Sequence, residues 1–235
     1  MARLLVVQNH RGGGAGRFGD WLTADGVSLD VVHAYAGGAL PRRPEHDGVM
    51  VLGGGYLPDD DVRAPWLAPT RALVAEAVDR GDPVFGICLG GQLLARVTGG
   101  TVRGEHGRPE FGSTPLTVRA EAGADPLFGG LPERVTAIEH HVDAVTALPP
   151  GAAWLVSSEG CPYQAFRVGE RAWGVQFHPE ATADRVRSWD AARLEARGLD
   201  PVELSRRAEL DEPAAEAVWR EVARRFAAVV AGSCA

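Results

Sequence analysis

Val84-Phe85-Gly86-Ile87-Cys88-Leu89-Gly90-Gly91-Gln92 is the stretch on which the reading of the 235-residue chain turns. Val84 to Ile87, led in by Pro83, is a short apolar run of the kind that forms a buried parallel strand. Beyond it, Leu93, Leu94 and Val97 have the spacing of a helix packed on a sheet. Cys88 stands at the hinge between the two. So sharp a turn forces strained backbone angles on its apex residue and tolerates little bulk nearby, which gives Gly86, Gly90 and Gly91 a steric purpose. A thiol there also faces the unpaired N–H groups and the positive dipole end of the following helix, which favours the nucleophilic thiolate. Most lone cysteines are nonetheless structural, so this stretch needs support from elsewhere in the chain.

Outward from the hinge, short apolar runs recur, each followed by Gly-rich or polar residues and then by helical spacing, the mark of an α/β chain. Arg3 to Val7, Ser28 to His33 and Gly48 to Leu52 read as strands, and Gly16 to Ala24 as a short helix. Pro69 to Arg80 reads as a longer helix, with Leu73, Val74, Ala77 and Val78 on one face and Gly81 as its stop. Prolines and glycines cut 101–171 into shorter pieces near Pro115 to Arg119, Val135 to Ile138, Ala153 to Ser157 and Tyr163 to Val168. Several of these are expected as antiparallel additions to a parallel sheet. Ala172 to Phe177 is a further strand, and a last helix, capped by Asp211, is expected to bury Val218, Trp219, Val222, Phe226 and Val229. The pattern predicts one α/β domain over 1–235: a three-layer sandwich around a central, mostly parallel sheet, with a C-terminal helical extension over about 181–235.

A formal net charge of −7, with no Lys/Arg cluster longer than two or three residues, argues against nucleic acid or anionic lipid as a partner. The first apolar run is too short for a signal peptide and no run of about 18 apolar residues follows, so a cytoplasmic location and no membrane span are expected. Cys88, Cys161 and Cys234 contain no CxxC pair and are odd in number, against both a disulfide framework and a thiolate metal site. Cys161 reads as structural and Cys234 as an exposed tail thiol.

Trp173-Gly174-Val175-Gln176-Phe177-His178-Pro179-Glu180 supplies the support. An apolar strand ends in a histidine, and a carboxylate follows two residues later across the stiffening Pro179. His178 can take the proton from Cys88 and deliver it to a leaving amine, while Glu180 fixes the ring tautomer and stabilises the imidazolium. His-Pro-Glu alone is weak, because surface turns often contain these residues; joined to the hinge it is much stronger. A third segment, Val49-Met50-Val51-Leu52-Gly53-Gly54-Gly55-Tyr56, is a strand ending in three glycines. Its backbone amides can form an oxyanion hole, with the N–H groups of Gly54 and Leu89 as the expected pair. A plain tight turn or a phosphate loop competes with that reading, but the chain lacks a Walker ending and a full GxGxxG after its first strand. Arg11 to Gly16 reads as a flexible connection. His140-His141 has no third ligand at useful spacing, so no metal is expected.

In this order the three segments resemble the class I glutamine amidotransferase family, which includes the glutaminase domains of GMP synthetase, anthranilate synthase and carbamoyl-phosphate synthetase. The resemblance covers most of the chain. Gly86 to Gln92 matches the nucleophile motif, Val175 to Glu180 the His-Pro-Glu motif, and Gly53 to Gly55 the oxyanion strand. It implies a flavodoxin-like fold in which Cys88, His178 and Glu180 cleave the side-chain amide of glutamine through a γ-glutamyl thioester, with no cofactor. By the same resemblance Gly54, Gly55, Leu89, Gln92, Glu110, Phe111 and Gly112 line the glutamine site. The family usually has proline where this chain has Gly55, and its Ser-His-Gly-Asp segment is here His140-His141-Val142-Asp143. His141 and Asp143, the retained pair, are expected to face an acceptor or partner. The stretch after Glu180 is too short for an ATP-binding synthetase domain, so a separate synthetase subunit is the expected recipient of ammonia. A free-standing hydrolase or transferase acting on a γ-glutamyl amide of a small metabolite is a second reading. An inactive regulatory subunit is a third, against which the intact Cys88, His178 and Glu180 argue.

Overall fold

A computed structural model describes residues 1–42 and 45–232, and Cys234 lies outside them. In chain order the strands are β1 (Ala2–Gln8), β2 (Val27–His33), β3 (Gly48–Val51), β4 (Val84–Ile87), β5 (Thr101–Arg103), β6 (Glu110–Val118), β7 (Arg134–His141), β8 (Ala144–Ala147), β9 (Ala153–Ser157), β10 (Ala165–Val168) and β11 (Ala172–Val175). The α-helices are α1 (Gly16–Ala24), α2 (Leu67–Asp79), α3 (Leu89–Val97), α4 (Ala183–Arg187), α5 (Ala191–Glu195) and α6 (Pro201–Val230).

Nine strands form one sheet in the order β2-β1-β3-β4-β11-β10-β9-β6-β7, and β5 pairs separately with β8. Pairings from β2 across to β11 are parallel, and those from β11 across to β7 are antiparallel. The antiparallel additions thus take up as much of the sheet as the parallel core. Their share is larger than the sequence suggests because β6 and β7 run well past the short pieces legible around Pro115 and Val135. Pro115 is tolerated inside β6 because β9 pairs only with Thr117 and Val118, leaving the rest of that edge free of a donor requirement.

Within β1 the apolar run divides between two cores. Leu4 and Val6 join Phe18, Phe85, Trp219 and Phe226 on the α1/α6 face. Leu5 and Val7 join Leu73, Val74, Leu89 and Leu93 on the α2/α3 face. Period-two alternation inside a wholly apolar strand means burial on both sides, and so three layers. Each large side chain fully buried contributes roughly 1.5–3 kcal/mol.

The last helix begins eleven residues earlier than its sequence suggests. Asp200, not Asp211, is its cap, accepting from the N–H groups of Val202 and Glu203, with Pro201 in the first turn. Asp211 lies mid-helix, where its carboxylate accepts from Ser113 Oγ and Arg207 Nε, both at 2.8 Å. The helix also passes through Pro213, which costs it an internal hydrogen bond. Complete burial of Trp219, Val222 and Phe226 against the sheet outweighs that loss, and α6 is a layer of the sandwich. Among the described residues no helix is long and apolar enough to cross a membrane.

Candidate active site

Cys88 joins β4 to α3 with φ 50° and ψ −109°, and among the described residues only Glu105 is another non-glycine with positive φ. Its N–H donates to the Val175 carbonyl at 2.8 Å, tying the hinge to β11. A Cβ on Gly90 would lie 2.0 Å from the Val51 carbonyl oxygen, one on Gly86 would lie 2.4 Å from the Gly90 backbone, and one on Gly91 would lie 2.7 Å from the Val175 carbonyl oxygen. No side chain fits at those distances, so the glycines are what let α3 seat its first turn on the ends of β3 and β11.

His178 follows β11, and its N–H donates to the Ile138 carbonyl at 2.8 Å, fastening it to β7. Its Nδ1 lies 2.7 Å from Glu180 Oε1, which leaves Nε2 to face Cys88, whose side chain influences the ring. Burial disfavours a charged ring, but Glu180 and Cys88 outweigh it and hold the imidazolium well above the ordinary histidine range. Gln176 Nε2 approaches Cys88 Sγ at 3.5 Å. Gln92 donates to Gln176 Oε1 at 3.0 Å and to the Asp143 carbonyl at 3.2 Å. Gln176 was legible only as part of its strand, and its direct approach to the sulfur depends on β4 and β11 being neighbours.

The Gly53–Gly55 turn sits opposite. A Cβ on Gly53 would be 3.1 Å from His178 Cε1, and one on Gly54 would be 2.8 Å from Leu89 Cδ2. Gly54 and Leu89 therefore meet beside Cys88, and the Leu89 N–H, in the first turn of α3, has no acceptor within its helix. Fully buried Asn9 pins the turn, donating to the Leu52 carbonyl at 2.8 Å and accepting from Trp66 Nε1 at 3.2 Å. The Arg11–Gly16 loop is more than a connection. A Cβ on Gly16, at φ 47°, would lie 2.4 Å from the Glu180 carbonyl oxygen, and Arg17 Nε donates to the Pro179 carbonyl at 3.2 Å. The usable signal was its place after the first parallel strand, at the sheet edge where α/β proteins bind ligands.

Of the expected pocket residues, Gly54, Gly55, Gln92, Phe111, His141 and Asp143 border a cleft of about 880 Å³ that contains Cys88, His178 and Glu180. Glu110 and Gly112 do not reach it. A Cβ on Gly112, at φ 82°, would lie 2.8 Å from Leu204 Cδ2 on α6. Glu110 lies below the floor, accepting from Gln164 Nε2 at 2.8 Å and Ser158 Oγ at 2.9 Å, with His141 Nε2 at 3.2 Å. His141, expected to face an acceptor or partner, borders the cleft with its ring turned inward to Glu110 and to the Asp143 carbonyl. Asp143 itself stays half-buried on the cleft and accepts from the Glu105 N–H at 2.9 Å.

The fold supplies what the His140-His141 pair lacked in sequence: ligand atoms of Glu110, His141 and Cys161 lie within 4.8 Å of one another. Burial, then Glu139 and Glu110, push the Cys161 thiol up to about 12. Glu139 was not anticipated. It is fully buried with neither carboxylate oxygen hydrogen-bonded, and burial, then Glu110, hold it well above the usual carboxylate range.

The profile of the family described as Glutamine amidotransferase class-I matches residues 22–188, a span that includes Cys88, His178 and Glu180. The chain belongs to the class I glutamine amidotransferase family. It is 38% identical over 159 residues to the GMP synthase [glutamine-hydrolyzing] of Aeropyrum pernix, a match covering 66% of this chain and 28% of that protein. Against the protein of the same description from Streptococcus thermophilus it is 40% identical over 108 residues, 45% of this chain and 20% of that protein. The amidotransferase chain thus spans about a quarter of the length of these relatives. A crystal structure of a glutamine amidotransferase from Thermotoga maritima superposes with a TM-score of 0.85 at 28% identity, covering 96% of this chain and 98% of that one. A glutamine amido transferase from Methylobacillus flagellatus gives 0.81 at 25%, covering 100% and 96%.

Proposed function

We propose that this cytoplasmic amidotransferase opens the γ-amide of glutamine with Cys88, His178 and Glu180 acting as a triad. The Cys88 thiolate attacks the amide carbon while the carbonyl electron pair moves onto oxygen, which the N–H groups of Gly54 and Leu89 receive. Collapse breaks the C–N bond, and the departing nitrogen takes a proton from the His178 imidazolium and leaves as ammonia. Water then attacks the γ-glutamyl thioester as His178 removes its proton, releasing glutamate and restoring the thiol. No cofactor enters. The observation that carries this reading is Cys88 at positive φ on the first turn of α3, interacting with a histidine whose far nitrogen is 2.7 Å from Glu180.

Glutamine-hydrolysing GMP synthases among the relatives favour a separate synthetase subunit as the user of the ammonia. The size of the cleft favours a second reading, a free-standing γ-glutamyl amide hydrolase. Acid-quenched protein incubated with glutamine should carry a γ-glutamyl adduct on the Cys88 peptide by mass spectrometry, and ammonia release should require Cys88. Steady ammonia release from Cys88→Ala protein would overturn the triad; release that rises only when a synthetase is added would separate the two readings.

A further inference from the structure

We propose that the cleft admits a γ-glutamyl amide whose amine portion is a flat aromatic ring bearing an anionic group, bound by Trp189, His140, Phe111, Arg185 and Arg197. The proposal rests on the thioester reading and names the substrate class of its free-standing form.

The leaving nitrogen must come within hydrogen-bond reach of His178, which donates its proton. The amine portion therefore extends toward the chain that follows Glu180. Residues 181–197 wall that side of the cleft, and Trp189 and Arg197 lie beyond residue 188, where the match to the family profile ends. A volume of about 880 Å³ is near the top of the roughly 300–1,000 Å³ range of clefts that take drug-sized ligands. Glutamine alone leaves most of it empty.

Three rings face this space in sequence. The His140 and Trp189 centroids are 4.6 Å apart, and those of Phe111 and His140 are 5.1 Å apart. His140 replaces the serine of the family's Ser-His-Gly-Asp segment, so one of the rings is a departure from the family pattern. Partial burial, then the positive charge of His178, Arg185 and Arg197, lower its pKa to about 4; it offers a neutral aromatic face. Rings so placed favour a flat, polarisable partner.

The guanidinium of Arg197 lies 5.4 Å from the Phe111 centroid, and that of Arg185 borders the Gly12 backbone. On the same wall Arg187 pairs with Asp184, and Arg193 with Asp190 at 3.5 Å. Among the described residues, Arg185 and Arg197 have no carboxylate within ion-pair distance. Two uncompensated guanidinium groups beside an aromatic slot match a planar anion such as a carboxylate, which can accept two parallel hydrogen bonds from one fork.

The test uses full-length Cys88→Ala protein, which binds without turnover, titrated calorimetrically with N-(γ-glutamyl)-4-aminobenzoate, with γ-glutamyl anilide and with glutamine. The aminobenzoate amide is expected to bind about tenfold or more tighter than the anilide, and the anilide tighter than glutamine. Arg185→Gln and Arg197→Gln in that background should erase most of the carboxylate's advantage and keep the ring's, whereas Trp189→Ala should reduce the ring's. All three residues are at least partly exposed, and unchanged thermal melts control for folding. Equal affinity for the three compounds, or no measurable binding of the aminobenzoate amide, overturns the subsite. Acid-quench trapping with wild-type protein reads the other question. Adduct formation with equal affinities sinks the subsite alone, and ordered affinities without any adduct sink the thioester alone.

Discussion

The wall of the cleft that carries Cys88 and His178 is made of strand ends in a sheet buried on both faces, with β4 and β11 fully buried. The wall facing it, residues 181–197, holds two five-residue helices whose arginines are exposed. The first wall holds its groups by backbone: the Cys88 N–H on Val175, the His178 N–H on Ile138, and glycines wherever a Cβ would collide. The second also has backbone ties, such as the Ala181 N–H on the His178 carbonyl, but its rings and arginines meet the cleft through side-chain contacts such as His140 with Trp189. On the proposed reading, reaction geometry depends on the wall held by backbone, and choice of substrate on the wall that substitution can change with less disturbance to the fold.

The largest effect that would break this comparison concerns the first wall. Cys88→Ala should lower glutamine turnover on the order of 10⁴-fold or more, read as ammonia release, with an unchanged melting temperature. Glu180→Gln should cost about 10²–10⁴-fold. Glu180 holds the His178 imidazolium up, so removing its charge lowers that value, and the alkaline limb of kcat/KM, where the proton donor is lost, should move to lower pH. An alkaline limb left in place would mean that Glu180 does not tune the ring.

Gly90→Ala tests rigidity itself. Its Cβ would need to sit 2.0 Å from the Val51 carbonyl oxygen, so urea unfolding should report a loss of roughly 3 kcal/mol or more. A tolerated alanine would show the hinge to be softer than its geometry. Glu139, beneath the floor, gives a smaller and pH-dependent effect. Its folded pKa is raised, so the folded state holds a proton that the unfolded chain has already released. Stability should therefore fall as pH rises from the ordinary carboxylate value toward the folded one. Glu139→Gln should flatten that slope and be the more stable protein at pH 8, checked by urea midpoints at pH 5 and 8. The smallest change is Gly55→Pro, which restores the residue usual in the family at a position where a Cβ meets nothing within 4 Å. It should add about 0.4–1 kcal/mol if the proline ring fits the local backbone; a loss of stability would show that the turn needs glycine.

How much was legible follows the same division. Cys88, the glycines around it and His178-Pro179-Glu180 could be read because each meets a constraint imposed by its own few neighbours: a strained turn, close packing, a fixed spacing. The α6 start was misplaced because Asp211 has the chemistry of a cap, and only contacts with Ser113 and Arg207 show it serving otherwise. The role of the Arg11–Gly16 loop is not legible in sequence because glycines in a loop look alike until Gly16 is seen against Glu180. Glu110 and Gly112 are sequence neighbours of Phe111, and only contacts with Gln164, Ser158 and Leu204 show that they lie off the cleft.

By itself the sequence determined an α/β chain with a strand–cysteine–helix hinge, a distant histidine and carboxylate, and a glycine turn, since these are properties of local backbone and residue chemistry. Tertiary structure decided that Gln176 approaches the sulfur, that His141 turns inward, that Glu139 is buried with His141 Nε2 3.5 Å from its Oε2, and that Phe111, His140, Trp189, Arg185 and Arg197 share one cleft. Those facts depend on which strands are neighbours and where α4 and α5 come to rest, and contacts between residues far apart in the chain leave no local pattern to read.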